Sequence, residues 1–384
     1  MAIRETLVPS FEIGVIRPPS EAYSLLIRVT RNCPWNRCQF CRTYKGQKFQ
    51  LRPVAEIKQD IKTAKAIQDE IKGTSWKSGY RGRVKEIACT VLDNPPNAAY
   101  YNVALWLCAG GESTFLQDAN ALIMKTSEMV EVIRFLKQNL PGIKRVTSYA
   151  RSKTVAKKTL EELKKLKTAG LSRLHIGLES GYDPLLKYMD KGVTAAENVA
   201  AGKKVVESGI SLCEYVILGL GGKKMWREHA TETARVLNEI DPDYIRVRTL
   251  SITSQMPLYS EIENGNFVRA TDEEIIEEEK LLIEHLNCHS SFVSDHITNL
   301  FQEIEGKLPQ DKEKMLATLD RFQSLSPEER QNFIVGRRVG TYRQLNELSN
   351  SHKHKAVEQI IHELGHGNDQ IDSKTIYALM ESFI

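Results

Sequence analysis

Residues 145–178 read RVTSYARSKTVAKKTLEELKKLKTAGLSRLHIGL. Arg145–Tyr149 reads as a strand, Thr154–Ala169 recurs at helical spacing, Gly170 ends the helix, and Arg173–Leu178 is strand-like again. This strand–helix–strand unit is repeated on both sides. Upstream, Ser24–Thr30 (SLLIRVT) is an apolar strand, and Val54–Ile71 carries Ile57, Ile61 and Ala64 at i, i+4 and i+7. Thr114–Leu116 is a second strand, and Ser127–Leu140 is a helix striped by Met129, Ile133, Leu136 and Leu140. Downstream, Ala195–Ser208 and Arg227–Ile240 are helices that alternate with the strands Ser211–Leu218 and Tyr244–Leu250. Six such units in a row predict parallel pairing through right-handed crossovers. The expected fold is α/β, a partial (β/α)6 TIM-like barrel with a helical C-terminal region. A closed eight-stranded barrel would need two more units, and a doubly wound sheet fits the same count. In each case the reactive residues belong at the C-terminal ends of the strands.

The remaining chain is organised around these repeats. Residues 1–22 form a lead-in, residues 23–255 the barrel, and residues 256–384 a mostly helical region. Between Gly73 and Ser113 the connection is too long for an ordinary loop, so 73–113 is expected to hold helices of its own and to be a candidate lid. Thr271-Asp-Glu-Glu274 is a capping box that opens an acidic helix, and Ser290–Val293 is a further short strand. The 384 residues are 41% hydrophobic and 27% charged, ordinary for a globular protein. Lys and Arg number 53 against 49 Asp and Glu, which gives no clear nucleic-acid signal. No run approaches the length of a membrane helix, and the N-terminus lacks an apolar leader core. Those two features predict a cytoplasmic protein without a membrane partner.

Seven cysteines lie at positions 33, 38, 41, 89, 108, 213 and 288. The last four are scattered and read as ordinary apolar residues. The first three form Cys33-Pro-Trp-Asn-Arg-Cys38-Gln-Phe-Cys41, immediately after the first strand. Three thiolates in one short loop suit three irons of a [4Fe–4S] cluster and leave the fourth iron open. Zinc is the competing metal, but a structural zinc site takes four ligands, and no second CxxC or HxxxH stands nearby.

With this loop the chain resembles the radical SAM superfamily over about residues 23–255. The resemblance is closest to the branch of methylthiotransferase-like and coproporphyrinogen-dehydrogenase-like enzymes. The usual CxxxCxxC spacing is one residue longer here. The resemblance implies an enzyme in which the cluster reductively cleaves S-adenosylmethionine (SAM), so that a 5′-deoxyadenosyl radical abstracts hydrogen from a substrate the sequence does not name. It further implies that Phe40 shields the cluster. Gly177-Leu-Glu-Ser-Gly-Tyr-Asp-Pro-Leu-Leu-Lys-Tyr-Met-Asp-Lys191 resembles the family's GVQSGSxxxLxxMxR stretch, which places Glu179 on the SAM ribose and Lys191 at its carboxylate. Tyr215-Val-Ile-Leu-Gly219 resembles the GxIxG segment, with Ile217 on the adenine, and Ser148 holds a SAM-contacting place on strand three. An electron donor such as flavodoxin or ferredoxin is implied as partner. The family's GGE-like motif at the end of strand two has a literal match at Gly110-Gly111-Glu112. The strand-like residues Thr114–Leu116 follow that match, however. Gln117-Asp118-Ala119-Asn120 is therefore the expected strand-end motif, with the Gln117 carbonyl and Asp118 nearest the SAM ammonium and Thr126 as the cap of the next helix.

Other signals point elsewhere. Residues 362–366 spell HELGH, the zinc-protease string, with Glu381 as a conceivable third ligand. The helical stripe Val357, Ile360, Ile361 and Leu364 puts both histidines on the solvent side, and Gly365 and Gly367 predict a helix end there. A non-catalytic iron–sulfur or SAM-binding protein is the third reading. Arg246, Arg248, Asp295, His296 and Asn299 lie near strand ends and suit either a substrate pocket or the surface.

Overall fold

The structure is a computed structural model that describes residues 8–365 and 371–381. Its principal strands are β1 (Leu25–Arg28), β2 (Ser113–Gln117), β3 (Arg145–Ala150), β4 (Leu171–Glu179), β5 (Ser211–Leu218), β6 (Tyr244–Thr249), β7 (Ser291–Val293) and β8 (Gly306–Lys307). They form one sheet, ordered β1 to β8 as numbered. Pairing is parallel from β1 to β4 and from β5 to β7, and β8 returns antiparallel to β7. The connectivity is that of the expected six β/α repeats. The sheet gains its last two strands from the chain after residue 255. Two further two-residue strands, Thr30–Arg31 and Gln50–Leu51, pair antiparallel on either side of the cysteine loop.

By internal packing the chain divides into two compact units, each made of several stretches of chain. One comprises Met1–Asn36, Gly46–Ile176 and Lys204–Ser211; the other comprises Arg37–Lys45, Gly177–Lys203 and Leu212–Ile384. In the second unit the helices Lys312–Gln323 and Pro327–Arg338 close over an aromatic cluster of Phe301, Phe322, Phe333 and Tyr342, with ring centroids 5.2 to 5.9 Å apart. The capping box at Thr271 and Glu274 is formed and opens the helix Asp272–His285.

Three sequence expectations change in detail. The helix expected over Thr154–Ala169 is two, Ser152–Lys157 and Leu160–Ala169. Thr159 breaks it by capping the second piece with Glu162 in a box of its own. Thr126 is the first helical residue, not the cap; Lys125 precedes it, and the Thr126 hydroxyl donates to Glu162 instead. Cys213 and Cys288 are buried apolar residues as expected, but Cys89 is exposed. Its sulfur lies 3.1 Å from that of Cys108.

Residues 73–113 do hold two helices, Val84–Asp93 and Ala98–Cys108. The second of them closes the open edge of β1. An edge strand leaves one row of backbone groups unpaired, and buried groups of that kind need partners. The side chain of Asn102 supplies them: its Oδ1 accepts the Leu26 N–H at 3.0 Å, and its Nδ2 donates to the Ser24 carbonyl at 3.1 Å. Replacing it leaves two buried backbone groups unsatisfied, at about 1–3 kcal/mol each. Asn102→Ala is therefore expected to lower the unfolding free energy by roughly 2–4 kcal/mol in urea titrations. An unchanged midpoint would mean that this helix does not hold the edge.

Candidate functional site

In the first unit the site residues gather where β1 and β2 end. Asp118, directly after β2, is fully buried. Its Oδ2 accepts from Arg28 Nε and Nη2 at 3.0 and 2.6 Å, and from the Asn32 N–H at 3.3 Å. Arg28 also reaches Glu12 at 2.8 Å. Gly14 packs on the same carboxylate: a Cβ there would lie 3.1 Å from Oδ1. Gln117 is bound on every side. Its Oε1 accepts the Gly14 N–H, its Nε2 donates to the Gly14 and Ile16 carbonyls, and its own carbonyl accepts the Val29 N–H at 2.6 Å.

The Gln117 carbonyl and Asp118, expected nearest a ligand ammonium, are engaged with the chain itself. Gln117 ties the strand end to the lead-in segment at Gly14 and Ile16 and to Val29. Asp118 ties down Asn32, the residue before Cys33, which sits in the left-handed region at φ +67°. Cys33 is half-buried and accepts the Asn36 N–H on its sulfur at 3.4 Å. Ser148 is buried on β3, with its hydroxyl donating to the Leu116 carbonyl across the strand pair at 3.0 Å. The literal Gly110-Gly111-Glu112 lies at the opposite end of β2, after the helix Ala98–Cys108. Gly110 and Gly111 turn there with φ of +99° and +71°, and Glu112 is exposed and paired with Lys144.

The second unit holds the other half of the loop. Cys38 and Cys41 are half-buried, and the Cys41 N–H donates to the Cys38 carbonyl at 3.4 Å. Gln39 between them donates its N–H to the Met189 carbonyl and accepts the Leu258 N–H, both at 3.0 Å. Arg37 pairs with Asp190 at 3.0 Å. Phe40 packs against an apolar cluster that includes Met189, Ile217, Leu220 and Leu258. Lys191 lies 5.8 Å from the Phe40 ring centre and 2.7 Å from Glu179 Oε1. That ion pair fills a notch left by Gly177, where a Cβ would fall 2.1 Å from Glu179 Oε1 and 2.9 Å from Lys191 Nζ. Gly181 is needed by close approach, since a Cβ there would meet the Glu232 carbonyl oxygen at 2.3 Å. Phe40, Glu179, Lys191 and Ile217 therefore form one neighbourhood with the second half of the cysteine loop.

Sequence reading missed one member of this neighbourhood, Glu214. The signal was present, because Glu is the one charged residue in the apolar strand SLCEYVIL. Glu214 is buried, and its Oε2 has no hydrogen-bond partner. Burial pushes its carboxyl well above the usual range; the Lys191 charge opposes that rise and the Glu179 charge adds to it. The strand-end turn after Ile217 is fixed from the other side, where the Gly219 N–H donates to buried Glu278 at 2.8 Å. Gly219 and Gly221 lie in that turn, and Gly222 opens the helix Gly222–Ile240.

Of HELGH, His362–Leu364 close the helix Ser351–Leu364, and Gly365 caps it. His362 is exposed while Val357 and Ile361 are buried. His366 and the Glu381 side chain lie outside the described residues. Among the described residues, no three His, Cys, Asp or Glu side chains are gathered as a metal-holding group. The donor chemistry of the loop nonetheless fits a cluster: three thiols on one short loop, with the Cys33 sulfur accepting the Asn36 N–H. No described helix is long and apolar enough to cross a membrane.

The buried Glu214 gives a pH test. An acid whose pKa is raised on folding holds its proton above pH 4.5, where the unfolded chain has released it. The folded state then binds more protons, and stability falls as pH rises. Glu214→Gln is expected to be more stable than the parent at pH 8 and no more stable at pH 4, in denaturant titrations at both values. Parallel pH profiles for the two proteins would contradict a neutral carboxyl.

The family model described as the radical SAM superfamily matches residues 27–235. No curated protein matches the chain. Similar solved structures include the archaeal Methanocaldococcus infernus Elp3 with an N-terminal deletion, at 14% identity over 44% of this chain and 44% of that one, TM-score 0.37. Coproporphyrinogen III oxidase (HemN) from Escherichia coli is 13% identical over 45% of this chain and 39% of that one, TM-score 0.38. The radical SAM methyltransferase TsrM from Kitasatospora setae is 13% identical over 92% of this chain and 65% of that one, TM-score 0.43. The chain thus spans less than two thirds of the length of each of these three. Since the family match covers more than half of the chain and takes in the three-cysteine loop, the protein belongs to the radical SAM superfamily.

Proposed function

We propose that the protein is a radical SAM enzyme whose [4Fe–4S] cluster is held by Cys33, Cys38 and Cys41. The observation that carries this reading is the three-cysteine loop at the C-terminal end of β1, within the family match. When bound and reduced, such a cluster supplies the electron that cleaves the sulfonium bond of SAM and yields a 5′-deoxyadenosyl radical. The chain's own residues bind and orient. Glu179 and Lys191 offer a carboxylate and an ammonium to the polar ribose and methionine ends of SAM. Phe40 and Ile217 offer an apolar wall, and in the other unit Ser148 and Asp118 hold the ends of their own strands. Asp118 acts through Arg28 and Asn32 on the entry to the loop. The electron comes from an external reductant of the flavodoxin or ferredoxin kind.

Anaerobic reconstitution tests the proposal. The parent is expected to take up iron and sulfide and to form 5′-deoxyadenosine with dithionite. Cys33→Ala, Cys38→Ala and Cys41→Ala are each expected to lose the intact cluster, while Cys89→Ala, Cys108→Ala, Cys213→Ala and Cys288→Ala keep it. A full cluster in Cys38→Ala, or stoichiometric zinc with no iron in the parent, would sink the assignment.

The two strand-end candidates are separated by a second pair of variants. Asp118→Ala removes the acceptor of the Asn32 N–H and leaves the half-buried Arg28 without one of its two carboxylate partners, so iron retention and SAM cleavage should both fall at least tenfold, the scale of about 1.4 kcal/mol. Glu112→Ala breaks only an exposed pair, worth little, and should behave as the parent. The opposite ranking would make Gly110-Gly111-Glu112 the working motif.

A further inference from the structure

Strand β6 carries two arginines on one face. Arg246 pairs in register with Tyr215 of β5, and Arg248 with Ile217. Alternation along a strand puts Arg246, Arg248, Tyr215 and Ile217 on the same side of the sheet. Two guanidinium groups therefore stand two residues apart on the face that carries Ile217, the residue packed in the Phe40 cluster.

Their charges are unequally met. Arg246 is only 7% exposed, and its Nη1 pairs with both oxygens of Asp295 at 2.8 and 2.6 Å. Its Nε is buried with no hydrogen-bond partner. Arg248 is half-buried, its Nε is likewise buried and unpartnered, and its guanidinium makes no hydrogen bond or ion pair with any described residue. His296, after β7, completes the group. Its Nδ1 accepts the Thr298 N–H at 3.3 Å and lies 2.7 Å from the Thr298 hydroxyl, which leaves the ring proton on Nε2. Burial and the two arginine charges hold its pKa down at about 4, so it adds a donor without adding charge. The group as a whole therefore carries one cation more than it has anions.

A buried guanidinium without a partner is costly unless something else satisfies it. A planar donor fork is matched best by an oxyanion, which accepts two parallel N–H bonds. We propose that Arg248, with Arg246 Nε and His296 Nε2, forms a binding site for an oxyanion group, a carboxylate or phosphate, on a small-molecule substrate. That the anion belongs to the substrate of a radical reaction rests on the proposed function; the anion site itself does not. The site lies on the same sheet face as Ile217, so an anchored anion holds its molecule beside the apolar wall assigned to the cofactor. Arg248 and His296 bind and position, and neither takes part in bond breaking.

The test is a calorimetric titration of the full chain, without iron or reductant, using inorganic phosphate and, separately, succinate at low ionic strength. At least one is expected to saturate, and the tighter of the two assigns the oxyanion class. Arg248→Gln is expected to weaken that anion by about tenfold or more and Arg248→Lys by less, because a lysine keeps the charge but not the fork. Lys164→Gln, on an exposed helix of the other unit, should bind as the parent. Thermal melts check that the half-buried Arg248 variants are folded. Failure of both anions to saturate, or equal affinity in the parent and Arg248→Gln, overturns the proposal. Loss of cluster chemistry in the parent would defeat the proposed function and leave this binding result standing.

Discussion

Two backbone hydrogen bonds of one residue set the second half of the cysteine loop. Gln39 gives its N–H to Met189 and takes the N–H of Leu258, so both its peptide groups are fixed while its side chain is uninvolved. Its neighbours Cys38 and Phe40 inherit that position. The same short segment, 189–191, supplies the Met189 carbonyl, the Asp190 partner of Arg37 and the Lys191 partner of Glu179. A change in that turn would therefore move the thiols, the Phe40 ring and the ion pair together. Backbone anchoring of this kind tolerates variation at position 39 but not displacement of residue 189.

Buried charge in each unit is handled in one of two ways. Arg28 with Asp118, and Lys191 with Glu179, are opposite charges at hydrogen-bond distance. Such pairs contribute little net stability, yet loss of one partner leaves an uncompensated buried charge. They fix geometry more than they add energy. Glu214 and His229 are instead held neutral by burial. His229 sits between the Ser180 hydroxyl and the Ile217 carbonyl at 2.8 and 3.0 Å, and so links the segments that follow β4 and end β5.

Much of this was legible from the chain alone, for a physical reason. Six strands show in the sequence because fully buried parallel strands read as apolar runs, and Ser211–Leu218 emerges with its expected bounds. The misplacement of Gly110-Gly111-Glu112 was also readable, because a helix stop and a following strand leave it at the wrong end. The break at Thr159 was not, since the apolar spacing runs through it and only the local cap decides. Nor was the engagement of Asp118, whose partners Arg28 and Asn32 come from a segment far away in sequence. The approach of Cys89 to Cys108 depends on how two helices pair, which neither helix encodes. The strand β8 is two residues long, too short for any period to register.

The placement of Arg37–Lys45 has a consequence for how the molecule is made. This segment belongs with chain that is translated much later, since its anchors are Met189 and Leu258. At about 5–20 residues per second, Gln39 emerges from the ribosome ~10 seconds or more before Leu258 can reach it. Throughout that interval Cys38 and Cys41 ride on a nascent loop with one or both of its fastenings still unsynthesised. Contacts between such distant segments form late in any case, because closing a long loop costs entropy before it is rewarded. The thiols are thus open to oxidants and stray metals for longest at the stage when the ribosome still holds the chain.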